Sequence, residues 1–340
     1  MLRRVYGDPA EVLERVVAPR AKRYVAVAAA ATRAGTTAYL ARGVRDAQRG
    51  GGVDERTVFE IGSVTKVFTA LLLADMTLKG EVALDDPVEK YLPEGAAMPV
   101  RGGKAITLRH LTMQNSGLPR LPRSMLRQAM RNRSDPYAHF TEHDVHAGLE
   151  RARLRREPGG KWRYSNFGAA VLGHALAKHA GTTYDHLLRE RVTGPLGLVD
   201  TVITLRPDQV QRAARGHTRW RHPTNDWSMP AMPAMGAVHS TAADLTKFLH
   251  AQLDPDDTPL AEAIRLTHEP RAGRPPLQAA LGWLVASLPK GGPTVHWHNG
   301  GTGGARSFAG FVADQRSACV VLTTGQRSAD RLGFDLLRST

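Results

Sequence analysis

A serine and a lysine three positions apart, Ser63 and Lys66, open the apolar run "EIGSVTKVFTALLLADM". Residues three apart on a helix share a side, so hydroxyl and amine can come within reach of each other. The chemistry open to such a pair is nucleophilic: the amine takes the hydroxyl proton while the oxygen attacks an acyl carbon. A lysine with its ordinary pKa of about 10.4 is a poor base at neutral pH. The fold must lower that value by about three units, on the order of 4 kcal/mol, through desolvation or a nearby cation. A serine at a helix N-terminus also places free backbone N–H groups beside any oxyanion formed there. The blander reading is equally concrete: Ser63 caps the helix, Lys66 points to water, and Val64, Val67, Phe68, Leu71 and Leu72 pack the core.

Two further stretches carry groups that fit the same chemistry. In "PGGKWRYSNFGAAVLG", Tyr164-Ser165-Asn166 precedes a helix-spaced run. A phenol can relay protons, and an adjacent amide can orient both a lysine and a substrate. In "VHWHNGGTGGARSFAGF", His298-Asn299-Gly300 ends an extended run and leads into glycines. Glycines let a substrate lie against the backbone and let N–H groups such as that of Gly301 point into a site. Packing, a helix cap and a hairpin turn would account for the same residues without chemistry.

The elements that must position these groups follow from periodicity. "PAEVLERVVAPR" reads as an amphipathic helix capped by Asp8, and "YVAVAAAAT" and "TTAYLARG" as a strand pair joined by a turn, with "RTVFEIG" a third extended segment. From Ser63 to about Leu198 the spacing is mostly helical, broken by prolines and glycines. The chain then returns to mixed structure: a helix at "TAADLTKFLHAQL", strands at "PTVHWHNG", "ARSFAGFVAD" and "SACVVLTTG", and a closing helix "SADRLGFDLLRS". This predicts an α/β fold of the α+β type. Segments 1–61 and 235–340 build an antiparallel sheet flanked by helices, and 62–234 forms an inserted, mostly helical domain with the site in the cleft between. The arginine-dense stretch from Leu121 to Pro136 is expected as a solvated face, with an active-site lid as the alternative.

Composition removes several classes of function. The 340 residues carry 46 Lys and Arg against 32 Asp and Glu, a formal charge of +14, yet the arginines are dispersed and no zinc-finger, RNA-binding or basic-zipper signature appears. No nucleic-acid partner is expected. No stretch reaches the roughly 18 unbroken apolar residues of a membrane span. The short apolar core of Arg23 to Thr32 reads as mature sequence, giving a cytoplasmic expectation. The single cysteine, Cys319, sits in an apolar strand, which excludes an internal disulfide framework. His139, His143 and His146 have helical spacing but no evident carboxylate or cysteine partner, so neither a metal nor another cofactor is expected. There is no G-x-S-x-G elbow and no phosphate loop.

Taken together and in order, Ser63-Val64-Thr65-Lys66, Tyr164-Ser165-Asn166 and His298-Asn299-Gly300 resemble the three motifs of the serine beta-lactamase and penicillin-binding-protein superfamily. The class C beta-lactamase, D-alanyl-D-alanine peptidase and esterase branch is the most similar. "VALDDPVEKYLP", "ITLRHLTMQNSGLP", "VTGPLGLVDT" and "MGAVHSTAADLTKFL" also look like that family, from about residue 24 to the C-terminus. The resemblance implies an acyl-enzyme on Ser63, proton transfer shared by Lys66 and Tyr164, and Asn166 holding the lysine and a substrate amide. It further implies an oxyanion hole from the N–H groups of Ser63 and Gly301, with His298 where many relatives carry lysine. Asn299, Gly300, Arg306 and Gln114 complete the expected substrate-binding set, Arg306 as a substitute charge because Asn299 replaces a hydroxyl residue. The function implied is a serine hydrolase acting on a small-molecule or peptide ester or amide. An acyltransferase using the same acyl-enzyme is the alternative, and a binding or sensor protein of the same fold is the less favoured one.

Overall fold

The computed structural model describes residues 7–269, 272–274, 276–288 and 292–340. Residues 1–6 of the first expected sheet segment, and 270, 271, 275 and 289–291 of the second, lie outside the described residues.

Alternation of side chains across a strand explains the sheet. Among the described residues its nine antiparallel strands run in the order β3-β2-β1-β11-β10-β9-β8-β7-β6. They are β1 (Ala26–Arg33), β2 (Thr36–Asp46), β3 (Gly50–Gly52), β6 (Ala272–Arg274), β7 (Leu277–Ala279), β8 (Leu284–Ser287), β9 (Thr294–Gly301), β10 (Ala305–Val312) and β11 (Ser317–Thr324). Strands from the two ends of the chain meet at the β1–β11 seam, where Ala28 pairs with Leu322 and Ala30 with Val320. Both faces of this seam are covered, which is why β1 and β11 read as unbroken apolar runs rather than alternating ones. Ala28, Ala30, Val320 and Leu322 face the other side, where the helix Ala242–Leu253 packs. Val27, Ala29, Cys319 and Val321 face the terminal helices Pro9–Val16 and Asp330–Ser339. Asp8 caps the first of these by accepting the Ala10 and Glu11 N–H groups.

The helical block enters and leaves through a two-stranded pair, β4 (Phe59–Glu60) with β5 (His239–Ser240). Its central helix, Thr65–Leu78, is buried from Thr65 to Met76 on every side, so it is a core helix and not an amphipathic surface one. The arginine-dense stretch contains a helix, Arg123–Arg131, which anchors through Met125 and leaves Leu126 and Met130 exposed. The expected extended segment "RTVFEIG" contains β4, whereas the short strands β5 to β8 have no distinct signal in the sequence, because strands of two to four residues show too little of a period to read. No helix among the described residues is long and apolar enough to cross a membrane.

Gly333, in the closing helix, gives a test of this packing. A Cβ built there would lie 2.2 Å from Phe308 Cδ1, and Phe308 is fully buried. Glycine to alanine in a helix ordinarily stabilises by about 1 kcal/mol; overpacking of about 1–3 kcal/mol opposes it here. Gly333→Ala is therefore expected to lower the denaturant midpoint, by contrast with the usual sign.

Candidate active site

Ser63 lies in a 3-10 turn, Gly62–Val64, that feeds the central helix. Its neighbours on both sides are buried while Ser63 itself keeps some exposure. Gly62 has φ +51, and a methyl group there would lie 2.6 Å from the Gly301 backbone nitrogen. A Cβ on Gly300 would meet the Ile61 carbonyl at 2.0 Å, and the Ser307 hydroxyl donates to that same carbonyl at 2.6 Å. Two glycines thus let the end of β9 press directly on the turn that carries Ser63.

Lys66 is 4% exposed and has no carboxylate partner among the described residues. Its Nζ lies 3.1 Å from Ser63 Oγ, 3.0 Å from Asn166 Oδ1 and 2.5 Å from the Met235 carbonyl oxygen. Burial holds its pKa below the ordinary lysine range, with the Arg120 guanidinium pushing the same way and Tyr164 opposing. Two of its contacts, Asn166 Oδ1 and the Met235 carbonyl, can only accept. A neutral amine satisfies them with its two N–H groups, and its lone pair is left for the Ser63 hydroxyl. On the other side of that hydroxyl, the Tyr164 O–H donates to Ser63 Oγ at 2.5 Å.

The loop bearing Tyr164 is clamped from below. Ser165 caps the helix Asn166–His179, accepting the Gly168 N–H, and its hydroxyl donates to the Pro119 carbonyl at 2.7 Å. The Ser165 N–H donates to Gln114 Oε1, and the Arg163 N–H to the Gln114 carbonyl. Gln114, expected in the substrate-binding set, is instead a buried support for this loop, in left-handed backbone at φ +59.

Strand alternation corrects another expectation. Trp297 and Asn299 point to the face covered by the closing helix, where the Asn299 amide donates to both carboxylate oxygens of Asp330 at 3.0 and 2.9 Å. Its side chain is committed there and does not bind substrate beside Ser63. His298 points to the other face, 4% exposed, and burial with the nearby Lys66 pushes its pKa down to about 3, so it is neutral. Its Nδ1 lies 2.7 Å from the Asn299 carbonyl, which fixes the proton on Nδ1. Arg306 Nη1 donates to the Thr302 and Ala305 carbonyls at 2.7 and 2.6 Å, so the side chain braces its own turn. Gly300 serves the close approach to Ile61.

Three participants were not found from sequence. The Met235 carbonyl and the guanidinium of Arg120, 5.5 Å over the Tyr164 ring, carry no sequence signal. Glu60 does: a carboxylate inside the apolar stretch "VFEIG", three residues before Ser63, is anomalous in itself. A cavity of about 1210 Å3 is lined by Pro233 and Ala237, which flank Met235, together with His146, His174 and His239. None of Ser63, Lys66, Tyr164, Asn166 or His298 lines it.

Residues 13–338 match the family described as beta-lactamase. The chain belongs to the beta-lactamase family. It is 30% identical over 285 residues to the D-alanyl-D-alanine-carboxypeptidase/endopeptidase AmpH of Escherichia coli (strain K12), covering 79% of this chain and 71% of that protein. A beta-lactamase of the same organism is 26% identical over 285 residues, 82% of this chain and 71% of the relative. A human protein, putative beta-lactamase-like 1, is 33% identical over 212 residues, 60% of this chain and 40% of its own length. This beta-lactamase-family protein is accordingly a serine hydrolase of amide or ester bonds, with the antiparallel sheet and flanking helices of that fold.

The placement of Asn299 has a measurable consequence. Asn299→Ala breaks paired bonds to a part-buried carboxylate and is expected to cost about 1–2 kcal/mol in urea unfolding. Acylation by a p-nitrophenyl ester is expected to stay within about twofold of wild type. A loss of about 100-fold would return the side chain to the site.

Proposed function

We propose that Ser63 is the nucleophile of an acyl-enzyme hydrolase working in the cleft between the sheet segments 1–61 and 235–340 and the helical insert 62–234. The observation that carries this reading is Lys66: a buried amine without an anion, its two N–H groups taken by carbonyl oxygens, 3.1 Å from the Ser63 hydroxyl. Ser63 Oγ bonds to the acyl carbon as its proton passes to the Lys66 lone pair. The carbonyl electrons move onto oxygen, toward the N–H groups of Ser63 and Gly301. Tyr164, already donating to Ser63 Oγ, hands a proton to the departing alcohol or amine and recovers it from Lys66. Water then enters by the reverse path and releases the acid. Asn166 fixes the lysine. His298, being neutral, adds no positive charge to the site.

An ester or peptide amide suits this site better than a beta-lactam. The position where lactamases offer a hydroxyl to the substrate carboxylate is Asn299, whose side chain is turned to Asp330.

Intact-mass spectrometry with a fluorophosphonate and with p-nitrophenyl esters tests the reading. Wild type is expected to gain one adduct and Ser63→Ala none; adducts of equal yield on both proteins would reject Ser63 as the nucleophile. Lys66→Met is expected to lower the acylation rate by about 100- to 10,000-fold. Because the reactive form of Lys66 is the neutral one and its pKa is held down, the rate should rise with pH along a limb below lysine's ordinary range. A limb at or above about 10 would mean that the Lys66 amine is not held below lysine's ordinary range.

A further inference from the structure

We propose that Glu60 is a positioning residue for the turn that carries Gly301, tying that turn to the helical insert through Thr302 and Trp227. The inference rests on the reading of Ser63 as the nucleophile and of the Gly301 N–H as an oxyanion donor.

Glu60 is 7% exposed at the end of β4. Thr302, the residue after Gly301, has its hydroxyl 2.6 Å from Glu60 Oε2, and the Trp227 backbone N–H donates to Oε1 at 2.9 Å. Thr302 in turn exchanges bonds with Ala305 across the β9–β10 turn, N–H to carbonyl at 3.1 Å and the Ala305 N–H to the Thr302 hydroxyl at 3.3 Å. The Trp227 indole lies against the same turn: a Cβ on Gly303 would be 2.7 Å from Trp227 Nε1. From Trp227 the connection continues into the insert. Tyr137 meets the indole edge-on at 5.2 Å, and Asp135 accepts from the Ser228 N–H and hydroxyl. One carboxyl group therefore joins the segment before Ser63, the oxyanion turn and the insert.

The charges around it set a direction with pH. Asp226 and Asp135 face Glu60 with like charge, Arg306 lies across the turn, and His239, its partner in the β4–β5 pair, is kept uncharged by burial. Burial first, then Asp226, pushes Glu60 up to about 7, overriding the two hydrogen bonds that favour the anion. The arrangement as built is thus more stable with the proton on Glu60. A neutral carboxyl keeps both links: one oxygen accepts from Trp227 and the other donates its proton to Thr302 Oγ. Ionisation places an anion beside two others and near the developing oxyanion. The contribution of Glu60 to acylation is therefore present at low pH and lost as pH rises through about 7, opposite to the Lys66 limb.

The test is the pH profile of the acylation rate of the full chain by p-nitrophenyl butyrate. Wild type should show a descending limb near 7. Glu60→Gln, whose amide can accept from Trp227 and donate to Thr302, should keep the low-pH rate and lose that limb. Asp226→Asn, at an exposed position, should move the limb to lower pH by removing a like charge. Thr302→Val should lower kcat about tenfold below pH 7 at unchanged KM, and Thr302→Ser should restore it. A limb that persists unshifted in Glu60→Gln or Asp226→Asn overturns the proposal, as does a wild-type rate in Thr302→Val. Absence of any acyl adduct on wild type would instead defeat the Ser63 reading beneath it.

Discussion

Lys66 sits where water is scarce, held by a side-chain amide oxygen, a backbone carbonyl and a hydroxyl, with no carboxylate among the described residues to balance a charge. Burying a cation without a counterion is costly, and the less costly solution is to release the proton. Much of the surrounding architecture serves that end. The central helix is enclosed on all sides, the Asn166 helix is locked to the Gln114 loop, and Met235 offers its carbonyl from a third segment. Each contact removes a place where water or an anion could reach the amine.

The sheet provides the counterforce. β1 and β11 come from opposite ends of the chain and form a seam buried on both faces, so β9 and β10 are held rigidly where they press on the Ser63 turn. The approach is close enough that glycine is required at 62 and 300. A sheet buried on both faces cannot shift by part of a residue without exposing apolar surface or breaking its ladder, so the Gly301 backbone is held in one place against the Ser63 turn.

Much of this was legible in the chain. The apolar run after Ser63, the alanine-rich first strand and the last two long strands announced a helical block between two pieces of sheet. The three short motifs announced which residues to watch. The short strands β5 to β8 were not legible, since their few residues owe their conformation to neighbours and not to their own pattern. Gln114 and Asn299 were placed among substrate contacts; their side chains are committed to a loop and a helix.

What the sequence by itself determined is which groups exist and how they alternate along their elements: a hydroxyl and an amine one helical turn apart, a phenol before a helix start, and an imidazole on one face of a strand. Local spacing sets these because hydrogen bonds within a helix or along a strand fix where each side chain points relative to its neighbours. The tertiary structure alone decided the state of those groups. Whether Lys66 keeps its proton, whether His298 is charged, and which partner takes Asn299 depend on burial and on atoms tens to hundreds of residues away. Solvation and Coulomb energies follow distance in space, and a linear chain does not state that distance.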